Sequence, residues 1–107
     1  MLAMAYHFPV LLRHHDQFRH AYRSARDGLL QTPGLITHAF NDPRNRRDAF
    51  TLLMAWDNRA SFERFTRTWI GVWLLNGMGF NREAFAAPIE TDIGEAVFAP
   101  RLGTQAA

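Results

Sequence analysis

Apolar and polar positions alternate or recur along most of the chain, and their period changes several times. Met4-Ala-Tyr-His-Phe8 is a short aromatic-rich run stopped by Pro9, which predicts a first strand. After a connection over Val10 to His15, with Asp16 or a nearby residue as a candidate N-cap, Phe18, Ala21, Tyr22, Ala25 and Leu29 recur at helical spacing. Gln17, Arg19, Arg23, Arg26 and Asp27 occupy the opposite side, so this is an amphipathic helix that covers a flat layer. Thr32-Pro-Gly34 ends it, with Gly34 free to take the positive φ of a tight reversal. Leu35 to Phe40 reads as a second strand, Asn41 to Asp48 as a charged hairpin connection, and Phe50 to Trp56 as a third strand. Asp57-Asn58 supplies an N-cap for a second helix, along which Phe62, Phe65, Trp69 and Trp73 fall at helical intervals. Glu63 and Arg67 form a favourable i,i+4 pair on its other side. Gly77-Met-Gly79 breaks that helix, Asn81 to Ala86 suits one short turn, and Ile89 to Ile93, extending toward Phe98, makes a fourth strand.

The order is βαββαβ. Its two βαβ units predict an α+β, ferredoxin-like fold, with a four-stranded antiparallel sheet and both helices on one face. The third strand is apolar on both alternating sets, which is unusual for a strand with one face in water. Pairing of that open face with a second copy hides it most simply, so a homodimer is expected.

Composition narrows the chemistry. A chain of 107 residues suits one domain, placed over 1–98, with a small, polar tail over 99–107 expected to fray. There is no cysteine, which excludes disulfides, thiolate nucleophiles and cysteine-held metal clusters, and fits a reducing cytoplasm. All twelve basic residues are arginines, so lysine Schiff bases and lysine phosphate loops are excluded too. No stretch is apolar enough for a membrane span, and the first twelve residues lack the basic start and cleavage site of a secretory signal. The net charge is only +2, and the single basic cluster, Arg44-Asn-Arg-Arg47, is flanked by Asp42 and Asp48. Nucleic acid is therefore not expected as a partner.

The block Phe50-Thr-Leu-Leu-Met-Ala-Trp-Asp-Asn-Arg-Ala-Ser-Phe-Glu-Arg-Phe65 has a hydrophobic strand ending in Trp, a capping pair, and a helix opening with two Phe. This resembles the antibiotic-biosynthesis monooxygenase family. The pattern resemblance runs over about residues 3 to 98, with Pro33-Gly34 and the Phe18 helix in the corresponding places. It implies a dimeric α/β barrel. It also implies a small oxygenase acting on an aromatic or quinol-type substrate, without metal or flavin, or alternatively a non-catalytic ligand-binding or stress-related dimer. Members that form quinones carry an Asn four residues before the Trp, where this chain has Leu52. Haem-degrading members carry a His ten residues after it, where this chain has Thr66, and an Asn on the first strand, where it offers Tyr6 and His7. Haem degradation is thus the weakest of the implied activities.

Several residues have chemistry to offer. His7 and His38, on the first and second strands, are candidate general bases expected to approach each other or a shared pocket, where a neutral imidazole deprotonates a phenol. Trp56, with Tyr6, Trp69 and Trp73, is a candidate wall for an aromatic ligand, and a buried Trp56 indole N–H is expected to find a polar partner. Arg67 is a candidate for oxyanion support. His14, His15 and His20 do not have the i,i+4 spacing of helical metal ligands and read as a surface cluster; no metal or cofactor is assigned. Helix one offers the sheet small residues at Ala21 and Ala25, whereas helix two offers Phe and Trp, so a cavity is expected between the layers.

Overall fold

Residues 1–44 and 49–95 are described in the computed structural model. Strand β1 (Leu2–Phe8) leads through a 3₁₀ turn (Leu12–His14) into helix α1 (His15–Leu30). Strands β2 (Leu35–Asn41) and β3 (Phe50–Trp56) follow, then short helices α2 (Arg59–Phe65) and α3 (Trp69–Leu75), a second 3₁₀ turn (Arg82–Ala84), and β4 (Glu90–Glu95). The strands form one antiparallel sheet in the order β2-β3-β1-β4. The expected ferredoxin-like α+β architecture is present. The proposed tail, the continuation of β4 to Phe98 and the Arg46-Arg47 part of the hairpin lie outside the described residues.

Alternation sets the helix-facing side of the two central strands, β1 and β3. Leu2, Met4, Tyr6 and Phe8 of β1 are buried, while Ala3, Ala5 and His7 between them are half-exposed. In β3, Phe50, Leu52, Met54 and Trp56 pair with Phe8, Tyr6, Met4 and Leu2 on the same face. Phe18 of α1 packs its ring against Phe8, Phe40 and Phe50 at centroid distances of 5.3, 6.0 and 5.0 Å. Phe62 and Phe65 of α2 cover Trp56 at 5.8 and 5.1 Å. Both helical contributions therefore lie on one side, and the core is the aromatic layer between them and the sheet.

Gly34 joins the two halves. It adopts φ +84°, and a Cβ there would lie 2.3 Å from Ser61 Oγ, so only glycine lets the start of β2 pass the start of α2. Its carbonyl accepts from Asp57 N–H at 2.9 Å, and Asn58 Oδ1 caps α2 by accepting from Ser61 N–H at 2.9 Å.

Four local expectations are corrected. Asp16 is not the cap of α1: the helix begins one residue earlier and Asp16, in its first turn, pairs with Arg19 at 2.8 Å. His15 is not on the surface; it is buried, donates from Nε2–H to Val10 O at 2.9 Å, and sets its ring edge on Phe50. The second helix is not continuous. Thr68 Oγ1 donates to Phe65 O at 2.7 Å and accepts from Gly71 N–H at 3.0 Å, which ends one helix and caps the next. Arg67 falls in this break, so its expected pairing with Glu63 does not form among the described residues.

Candidate functional site

The two candidate bases lie on opposite faces of the sheet. His7 pairs with Thr51 across the β1–β3 ladder and points to the open face. There its Nε2 lies 3.0 Å from Asp92 and its Nδ1 3.4 Å from Thr51 Oγ1. His38 pairs with Met54 across β2–β3 and faces the helices. Strand β3 also separates β1 from β2, so the expected approach of His7 to His38 is overturned.

The cause is a bulge. Leu35 pairs with Trp56 on the helix face, and simple alternation from Leu35 would send His38 to the open face. The register shifts between Leu35 and Thr37, Ile36 is left exposed, and every later side chain of β2 changes side.

His38 thereby meets Tyr22 of α1. Tyr22 Oη and His38 Nδ1 are 2.5 Å apart. Phenol is the stronger acid and imidazole the stronger base of this pair, so the hydroxyl donates to Nδ1 and Nε2 carries the ring proton. The Tyr22 ring stacks on Phe40 at 4.1 Å and 9°, which fixes the hydroxyl. Burial pushes the Tyr22 hydroxyl up to about 12, with the Arg26 guanidinium pulling weakly the other way. Burial, with help from the same guanidinium, lowers His38 below its ordinary value, so at neutral pH its imidazole is uncharged. The pair sits at the inner end of an open groove of about 560 Å³ between α1 and β2, whose rim is Arg19, Arg23, Arg26 and Asn41.

The other candidates do not join this site. Tyr6 is buried in the core at β1, where burial raises its hydroxyl to about 12. Trp56 is fully buried beneath α2, and its indole N–H finds no partner, contrary to the expected polar neighbour. Trp69 is 78% exposed, Arg67 is exposed, and Trp73 is half-buried against Gly79. Neither Trp lines a space between the layers. The expected gap above Ala21 and Ala25 is filled by Tyr22 and Phe40. Tyr22 and Arg26 are the members that sequence reasoning missed. Their signal was an arginine one helical turn beyond a tyrosine on the core stripe, which mattered only once His38 was known to face them.

The raised tyrosine values also govern stability in alkali. The folded chain holds the Tyr6 and Tyr22 protons to about 12, while unfolded tyrosines release theirs near 10. Between those values the folded state binds more protons, so stability is full below pH 10 and falls as pH rises toward 12. Thermal unfolding across that range should show the decline, and Tyr22→Phe should make it shallower.

No family model matches the chain, and no curated protein matches it. Solved structures do. A provisionally assigned antibiotic biosynthesis monooxygenase from Nitrosomonas europaea superposes with a TM-score of 0.77 at 15% identity, covering 92% of this chain and 100% of that one. SnoaB from Streptomyces nogalater, described as a cofactor-independent oxygenase and solved as a point variant, gives 0.70 at 13%, covering 92% and 94%. The fold is that of the antibiotic biosynthesis monooxygenase structures. A conserved protein from Methanosarcina mazei shares this fold, with 0.74 at 15% over 87% and 89% of the two chains. No helix among the described residues is long and apolar enough to cross a membrane, and none of their His, Asp and Glu side chains cluster as a metal site.

Proposed function

We propose that this protein is a small cofactor-independent oxygenase of a phenolic or quinol-type aromatic, working at the Tyr22–His38 pair. The observation that carries the reading is the contact of a neutral imidazole with a phenol at the inner end of a solvent-open groove. A substrate hydroxyl donates to Tyr22 Oη; its proton passes to that oxygen as the Tyr22 proton moves to His38 Nδ1. The substrate becomes a phenolate, Tyr22 stays neutral, and His38 becomes imidazolium, with Arg26 favouring the substrate anion. An electron-rich phenolate itself reduces oxygen. Oxidation of a ring CH₂ by O₂ breaks two C–H bonds, forms one C=O, and releases the second oxygen atom as water. His7, on the far face, takes no part in this scheme, and Arg67 is too peripheral for oxyanion support.

Aerobic incubation with anthrones and naphthols, followed by oxygen uptake, tests this. Tyr22→Phe and His38→Gln should each lower the rate by about 100-fold or more, within the range of a lost proton transfer. The wild-type rate should also fall as the pH drops through the depressed His38 value, below 6.5. Ligand binding without oxygen uptake would instead favour the non-catalytic ligand-binding reading.

The protein acts as a homodimer in this proposal. The open face presents Ala3, Ala5, Ala39 and Thr51 around Leu53, small side chains that permit close approach of a second sheet. Sedimentation at micromolar concentration should give a dimer, and Leu53→Arg a monomer. A wild-type monomer would remove the barrel.

A further inference from the structure

We infer that the groove selects a substrate bearing a carboxylate on the ring opposite its reactive hydroxyl: an aromatic hydroxy acid, bound by Arg26 and Arg23. The inference rests on the groove proposed above as the reactive site. Arg19, Tyr22 and Arg26 occupy one stripe of α1, with Arg23 beside them, and all four line the groove. Their charges are not equivalent. Arg19 donates from Nη1 to Asp16 at 2.8 Å and from Nε to Asp42 at 3.0 Å, so its charge is answered twice. Arg23 and Arg26 are exposed and have no carboxylate partner among the described residues.

Three guanidinium groups and one carboxylate line the groove, a surplus of two positive charges. That equals the surplus of the whole chain, +2, so charges elsewhere balance. The imbalance is local and sits beside the polar pair. Arg26 perturbs both Tyr22 and His38, which places its guanidinium field over them. It also stands one turn beyond Tyr22, about 6 Å along the axis, and lines the same groove, so one ligand reaches both side chains. A guanidinium meets a carboxylate with two parallel N–H donors, which fixes the ring's direction and aims the hydroxyl at Tyr22 Oη.

The test uses binding alone, with the full chain and three fluorescent probes: 6-hydroxy-2-naphthoate, its neutral amide, and 2-naphthol. The acid should bind about 10-fold more tightly than the amide, an advantage that shrinks as salt rises. Arg26→Gln should reduce that preference to within about 2-fold by weakening the acid more than 2-naphthol, and Arg23→Gln should reduce it partly. Arg59→Gln, on α2 away from the groove, should change neither. Equal binding of acid and amide overturns the proposal, as does an acid preference that survives in the Arg23→Gln/Arg26→Gln double variant. Inorganic phosphate binding as tightly as hydroxynaphthoate overturns it too, since the ring would then contribute nothing. Oxygen uptake does not enter this readout. A carboxylate preference without oxygen consumption would defeat the oxygenase reading alone, and oxygen consumption indifferent to the carboxylate would defeat this one alone.

Discussion

Phe18→Ala should lower the unfolding free energy by about 4 kcal/mol, whereas Trp69→Ala, which removes a larger ring, should change it by about 0.5 kcal/mol or less. Phe18 is fully buried, and its ring touches Phe8, Phe40, Phe50, Phe80 and Phe85 at 5.0 to 6.1 Å. These neighbours come from three strands and the segment after α3, so the space left by a truncated ring cannot collapse without moving several elements. Trp69 opens α3 with 78% of its surface in water, and little transfer free energy is lost with it. Denaturant melts of the two variants check both numbers. A large loss for Trp69→Ala would place that ring in a core it does not reach here.

Burial left the clearest mark on the sequence. Alternation in Leu2–Phe8 and Phe50–Trp56, and the stripe from Phe18 to Leu29, are driven by burial over whole elements, so period alone located them. The same period misled at the second helix. Phe62, Phe65, Trp69 and Trp73 keep helical spacing across a break that Thr68 makes through its own side chain, and spacing has no term for a hydroxyl that ends one helix and caps the next. Trp69 then starts a new helix whose phase is set by Gly71 and Leu74, its buried positions.

The candidate site was hidden by a single residue. Leu35 and His38 are three apart, and odd spacing puts two strand residues on opposite faces unless a bulge intervenes. With Ile36 as the extra residue, His38 turns toward Tyr22; without it, His38 would share the open face with His7. Neither Ile36 nor its neighbours are glycine or proline, so nothing in residue type marks the bulge. The groove's charge followed the same path: Arg23 and Arg26 read as the solvated side of α1, which they are, until the bulge set a histidine beside them.

Gly71→Ala should destabilise the protein by about 2 to 3 kcal/mol, although alanine is the better helix former by about 1 kcal/mol. Gly71 is buried inside α3, and a Cβ there would lie 1.9 Å from Phe65 O and 2.8 Å from Phe65 C. Both atoms are backbone at the end of α2, tied by the Thr68 hydroxyl to that same carbonyl. The clash therefore meets something that cannot rotate away, and relief requires α3 to lift from α2. Gly28 is the internal control. It too lies within a helix, but its added Cβ would meet only Ile70 Cδ1, at 2.7 Å, the free end of a flexible side chain. Gly28→Ala should thus be neutral or stabilising by up to about 1 kcal/mol, as the gain in propensity outweighs a rotamer change. Urea melts of the two variants should move the midpoint in opposite directions or leave Gly28→Ala unmoved. Gly71→Ala matching Gly28→Ala would mean that α2 and α3 do not meet through backbone contact at this joint.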